Sequence, residues 1–259
     1  MKRALCVGIN DYPGSQNDLT GCVNDAKDWH DELKRRGFDE LTLLLDKLAI
    51  KSGILTELVR LIGETKNGDT LLFTFSGHGT WTPDLDGDEA DGRDEALCPY
   101  DFQKDIILDD ELYEAFCHRH HGARVVMISD SCHSGTVARM AAPIAGSRRR
   151  IRYMPPEHFL SGDALERAKT VERSNLKAMG KSSALLLAGC RDTEYSYDAS
   201  FNGRPNGAFT YVALQALKQG PKTYSEWYKL IRTSLPSMSH PQTPQLQGTT
   251  WQRKWKVLS

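Results

Sequence analysis

Two stretches of this chain share one shape, and few folds accommodate both. Residues 70–75 (TLLFTF) form a largely apolar run that stops at Ser76-Gly77-His78-Gly79. The run Val125, Val126, Met127, Ile128 stops just as abruptly, at Asp130-Ser131-Cys132-His133-Ser134-Gly135. Short β-branched-rich runs without polar alternation suit strands covered on both faces, and chemistry in such sheets collects beyond the strands' carboxyl ends. The two runs therefore predict neighbouring parallel strands that deliver His78 and Cys132 to equivalent places.

The rest of the chain supplies a sheet for them to belong to. Residues 4–9 are an apolar run ahead of a turn-rich stretch at 10–18. Cys22, Ala26, Trp29 and Leu33 then recur at helical spacing within 19–36, with Gly37 as a stop. A second strand is predicted at 41–45 and a second helix from the spacing of Ile54, Leu55, Leu58, Leu61 and Ile62; Asn67-Gly68-Asp69 turns the chain into the strand before His78. The order βαβαβ, with right-handed crossovers, builds an α/β fold: a mostly parallel central sheet with helices on both faces.

Between His78 and Cys132, an acidic loop at 84–94 (DLDGDEADGRD) precedes a helix from Asp109 through Arg119. The loop resembles a run of calcium ligands but lacks the ligand-to-glutamate spacing and flanking helices of an EF-hand, and a solvated surface loop is an equal alternative. Beyond Gly135 the pattern fades. Residues 145–181, with Arg148-Arg149-Arg150, Arg152, Pro155-Pro156 and mixed charge, read as an exposed linker. Regularity returns with a strand at 184–188 and helices at 209–217 and 224–231.

Composition narrows the function classes. With 259 residues, 39% hydrophobic and 26% charged, the chain has material for one core, since α/β domains of ~200–250 residues are common. A formal net charge of −1 predicts neither nucleic-acid nor anionic-membrane binding. Six cysteines without a CxxC pair suggest neither a zinc ribbon nor a thioredoxin motif, and read as reduced thiols of a cytoplasmic protein. The opening MKRALCVGINDY holds too short an apolar run for a signal peptide or membrane span.

Cys132 is the candidate nucleophile. A cysteine met alone is usually a small buried hydrophobe, but small polar neighbours at a strand end, with a histidine at the next strand's end, leave the thiol able to lose its proton to imidazole. Gly77 and Gly79 flank His78 and leave backbone room for a substrate carbonyl. His133 adjoins Cys132 in sequence and should point elsewhere. His118, His120 and His121 cluster near a helix end, where a solvated surface outweighs zinc binding.

SGHG after one strand and DSCHSG after the next resemble the caspase-like cysteine peptidases, specifically the metacaspase branch. His78 precedes Cys132 by 54 residues, close to the ~50 of caspases, while the Gln-Ala-Cys of true caspases is replaced by Asp130-Ser131-Cys132. AGCRDTEYSYD and NGAFTYVAL resemble the family's small-subunit segment. The resemblance implies a caspase-hemoglobinase fold over 1–259, with a large-subunit-like region 1–144, a linker 145–181 and a small-subunit-like region 182–259. It further implies an endopeptidase that cleaves after Arg or Lys through a Cys132–His78 dyad, an acyl-enzyme and water, with the amides of Gly79 and Cys132 as oxyanion hole. The family's acidic pocket maps onto Asp130, Ser76, Cys22 and Asp25, where a substrate cation would gain charge-assisted hydrogen bonds; the plain alternative for Asp25 is a solvated helix start.

The expected partner is thus a protein or peptide with Arg or Lys before the scissile bond, not a nucleic acid or a membrane. Arg148, Arg149, Arg150 and Arg152, with Lys169, Lys177 and Lys181 behind them, are candidate self-cleavage sites in the linker. An inactive caspase-like interaction module is the alternative, but it requires a lost nucleophile or base. No cofactor is required on this reading. Calcium-activated metacaspases use four aspartates, three of which match Asp94, Asp109 and Asp110; Arg139 stands at the fourth. Fewer carboxylates lower calcium affinity, so the expected response is weak.

Overall fold

The computed structural model describes residues 1–84, 92–132, 150–170 and 184–259. From the N-terminus, β1 (Lys2–Gly8), α1 (Cys22–Arg35), β2 (Glu40–Leu45), α2 (Lys51–Gly63) and β3 (Thr70–Ser76) give the alternation expected from hydrophobic spacing, with ends shifted by at most three residues. A small antiparallel sheet follows, made of β4 (Gly79–Pro83), β5 (Arg93–Leu97) and β6 (Ile107–Leu108). Then come α3 (Asp109–Cys117) and β7 (Arg124–Asp130). The chain continues through β8 (Arg150–Ile151), α4 (Gly162–Thr170), β9 (Leu185–Ala188), β10 (Tyr197–Phe201), β11 (Arg204–Gly207), α5 (Ala208–Leu217), α6 (Tyr224–Arg232) and β12 (Gln245–Gln247).

The central sheet runs β12-β9-β7-β3-β1-β2, all parallel except the antiparallel edge strand β12. Side-chain alternation divides its strands cleanly. Leu5, Val7, Leu71, Phe73, Val125 and Met127 face a core completed by α2 and α3, while Ala4, Cys6, Leu72, Val126 and Ile128 face one completed by α1, α5 and α6. Burial on both faces is why these strands carry almost no polar residue. On the second face Trp29 of α1 meets Trp227 of α6 edge to face, with centroids 6.0 Å apart, an arrangement worth about 0.5–1.5 kcal/mol beyond the area it buries. Among the described residues, no helix is long and apolar enough to cross a membrane.

Register places the chemistry. β3 pairs with β7 from Thr70↔Arg124 to Ser76↔Asp130, so His78 and Cys132 each lie two residues past matched strand ends. Three expectations need correction. The stretch read only as an acidic loop enters β5 at Arg93, although 85–91 lie outside the described residues. The helix predicted to reach Arg119 ends at Cys117. The segment read as exposed linker is partly docked: Arg152, Met154 and Pro156 are buried, although Arg150 is exposed. Mixed charge and proline looked solvated because the carboxylates that meet Arg152 lie elsewhere in the chain. Arg139, His133, Arg148, Arg149, Lys177 and Lys181, with the side chain of Lys169, lie outside the described residues.

Candidate active site

His78 is held from several sides. Its backbone N–H donates to the Tyr12 hydroxyl at 3.0 Å, Cys98 N–H donates to its carbonyl at 2.9 Å, and the Tyr12 ring lies 4.8 Å from the imidazole. Its Nε2 lies 2.7 Å from the Asn17 carbonyl oxygen. A carbonyl only accepts, so Nε2 carries the proton and the lone pair of the neutral ring sits on Nδ1. That Nδ1 is buried with no hydrogen-bond partner. Burial lowers the imidazole pKa to about 4, opposed by the bond to Asn17, so the ring is neutral across the physiological range.

Cys132 is buried at the end of β7. Its thiol lies between the N–H of Ser196, which donates to the sulfur, and the Ser196 carbonyl at 3.5 Å. A hydrogen bond involving Cys132, together with burial, pushes the neighbouring Cys190 thiol well up. The backbone amides of Gly79 and Cys132 converge on one oxygen, the carbonyl of Arg152, each at 3.0 Å. A Cβ on residue 79 would overlap the Cys132 carbonyl, so only glycine permits this approach.

The Arg152 side chain, 0% exposed, fills a pocket of three carboxylates. Nη2 reaches Asp25 Oδ2 at 2.7 Å and Asp198 Oδ1 at 3.0 Å, and Nη1 reaches Asp130 Oδ2 at 3.1 Å and the Asp130 carbonyl at 3.1 Å. Each carboxylate is itself anchored. Asp25 accepts from Gly207 N–H at 3.0 Å and Asn206 Nδ2 at 2.9 Å. Asp130 accepts from the Thr210 N–H at 2.9 Å, in the first turn of α5, from the Thr210 hydroxyl at 2.7 Å, and from Ser196 Oγ. Asp198 accepts from Thr20 N–H at 2.7 Å, Thr20 Oγ1 at 2.6 Å and Gly21 N–H at 3.0 Å. Amides ahead of a helix favour negative charge there. Three carboxylates against one guanidinium leave the pocket acidic, and burial pushes the Asp25 carboxyl up to about 7, against the pull of Arg152 and with the repulsion of Asp130. Gly207 is required for a similar reason as Gly79: a Cβ there would overlap Asp130 and the guanidinium.

Of the expected pocket residues, Asp25 and Asp130 meet the guanidinium directly. Ser76 is buried at the end of β3 beside Asp130 in register, and Cys22 is buried at the start of α1, its thiol raised by burial. Asp198, Ser196 and Thr210 were not foreseen. A signal for Asp198 existed, because aspartate is depleted in strands and one between Tyr197 and Ala199 calls for a partner. The main chain of the bound segment is held as an added strand: Arg152 N–H donates to Ser196 O at 3.0 Å, and β8 pairs antiparallel with β10.

The expected calcium ligands belong to two elements that follow β4. Asp94 sits on β5, while Asp109 and Asp110 open α3. Among the described residues no three of His, Cys, Asp and Glu gather as a metal-binding set.

The architecture matches that of Caspase-1 from Spodoptera frugiperda, with a TM-score of 0.58 at 14% identity over 95% of this chain and 86% of that one, which defines a caspase-hemoglobinase fold. Protein GSU0716 from Geobacter sulfurreducens superposes with a TM-score of 0.74 at 28% identity, covering 100% of this chain and 98% of that one. Residues 2–141 match the family model of the metacaspase, peptidase C14 domain. Metacaspase-1 of Meyerozyma guilliermondii is 32% identical over 288 residues, covering 96% of this chain and 69% of the relative, and Metacaspase-1 of Cryptococcus neoformans is 32% identical with 96% and 62% covered. The chain belongs to the metacaspase family of cysteine-type peptidases. It spans about two thirds of the length of these curated relatives.

Proposed function

We propose that this chain is an arginine-directed cysteine endopeptidase whose own 150–154 segment is its first substrate. The observation that supports this is the pose of Arg152: its carbonyl oxygen lies between the Gly79 and Cys132 amides while its guanidinium is held by Asp25, Asp130 and Asp198. A planar fork satisfies several carboxylates at once, which a single ammonium matches less well, so Arg is preferred over Lys. An Asp in the same place meets like charge.

The chemistry follows from these partners. His78 Nδ1 takes the Cys132 thiol proton, and the sulfur attacks the Arg152 carbonyl carbon. Negative charge on the carbonyl oxygen is met by the two amides, which are in place before the reaction begins. The tetrahedral species collapses with cleavage of the Arg152–Tyr153 bond, His78 returning its proton to the leaving Tyr153 amine. Water, deprotonated by the same imidazole, then hydrolyses the thioester and restores the thiol.

The test is a panel of peptides carrying Arg, Lys or Asp before the scissile bond, together with mass-spectrometric mapping of new termini in the purified chain. The expected result is a rate order Arg above Lys with Asp uncut, and a new N-terminus at Tyr153. Preferred cleavage after Asp overturns the pocket assignment.

The low pKa of His78 predicts a pH profile. Only the neutral ring accepts the thiol proton, so self-cleavage should persist as pH falls through 6.5, the ordinary histidine range, and lose half its rate near pH 4. Timed appearance of the Tyr153 terminus between pH 4 and 8 measures this; a limb centred between 6 and 7 that persists in Asp25→Asn, which removes the pocket carboxyl raised to about 7, contradicts it. Calcium is expected to stimulate weakly, because Arg139 replaces one carboxylate of the family's set. Titrating calcium against peptidase activity in wild type and in Arg139→Asp checks this, and saturation of the wild type at low micromolar calcium goes against it.

A further inference from the structure

The residues after the candidate scissile bond are held as specifically as those before it. Tyr153 bridges to Gly79 of β4 in parallel, Met154 N–H donates to the Gly79 carbonyl at 2.9 Å, and the Thr80 hydroxyl donates to the Met154 carbonyl at 2.7 Å. Side chains then distinguish what can lie on this track. Trp81, 6% exposed, donates its indole N–H to the Tyr153 hydroxyl at 3.2 Å. Arg93 lies over the face of the indole, its guanidinium carbon 3.9 Å from the ring centroid. Tyr195, one residue before the Ser196 that holds the arginine's N–H, packs its ring 6.4 Å from Tyr153.

We infer that the cleft selects tyrosine immediately after the scissile arginine, with Trp81 reading the phenol oxygen and Tyr195 covering the ring. This rests on the arginine-directed reading above and adds a second determinant, so that the preferred substrate class is an Arg-Tyr bond rather than any bond after Arg. The physical basis is the unequal cost of a missing group: phenylalanine keeps the ring but leaves a buried indole N–H without an acceptor, whereas alanine also loses the packing.

Three quenched fluorescent peptides differing at one position, IRYMP, IRFMP and IRAMP, test this with the wild-type chain, with and without calcium. The expected kcat/KM falls roughly tenfold from Tyr to Phe and further to Ala. Trp81→Phe, which removes the indole donor, should bring the Tyr and Phe peptides to within about twofold of each other. In the chain itself, Tyr153→Ala should slow the appearance of the residue-153 terminus more than Tyr153→Phe does. Equal kcat/KM on all three peptides overturns the tyrosine determinant while leaving arginine recognition standing. Failure to cut any of them, with Asp-containing peptides cut instead, removes the arginine reading and this inference together.

Discussion

Cys132→Ala should remain a single intact chain that cleaves nothing. In the proposed mechanism the thiol attacks the Arg152 carbonyl, and residues that act as a unit lose nearly all catalysis when one is removed, so the expected fall is about 10⁴-fold or more. The fold should survive. Alanine keeps the backbone amide that meets the Arg152 carbonyl, and losing one buried sulfur costs on the order of 1 kcal/mol. The variant should therefore show no Tyr153 terminus by mass spectrometry while melting within a few degrees of the wild type. His78→Ala should match it in activity, because no other described side chain in the cleft stands ready to take the thiol proton. Wild-type rates in a folded Cys132→Ala protein would sink the mechanism.

Arg152→Ala has the opposite profile: lower stability and a cleft open from the start. Removing the guanidinium leaves Asp25, Asp130 and Asp198 buried around an uncompensated pocket. Breaking a buried ion pair from one side costs about 3–5 kcal/mol, or roughly 5–15 °C in melting temperature for a chain of this size. Self-cleavage at this bond disappears with the residue. Peptides with Arg before the scissile bond should then be cut without a lag, since nothing occupies the carboxylates. Arginine amide supplies the missing cation, and millimolar amounts should raise the melting temperature of Arg152→Ala but not that of the wild type. An unchanged melting temperature, or no response to arginine amide, contradicts the role given to the pocket.

The contrast between Asp130 and Asp198 shows what was legible in the sequence and why. Asp130 ends an uninterrupted strand and precedes the cysteine by two, so periodicity places it and the family resemblance gives it a pocket. Asp198 sits in a short strand of mixed polarity whose partners are set by hairpin geometry. That hairpin had a signal: Asn202-Gly203 joins β10 to β11, with φ of 53° and 80°, the left-handed pair that two-residue hairpins favour. Arg152 was misread for a deeper reason. Its burial depends on carboxylates contributed by α1, β7 and β10, and no local window contains them. The strands under His78 and Cys132 were plain because burial on both faces writes itself into consecutive residues, whereas a cleft assembled from four distant segments does not.

The distance along the chain between Cys132 and Ser196 also sets an order of events during synthesis. Sixty-four residues separate the thiol from the backbone that receives the arginine's N–H. At about 5–20 residues per second, that gap takes roughly 3–13 s to translate. A growing chain thus carries its thiol and its base for some seconds before it has the wall against which a substrate can be aligned. The site is incomplete throughout that interval, and the segment that lies against the finished wall is the chain's own.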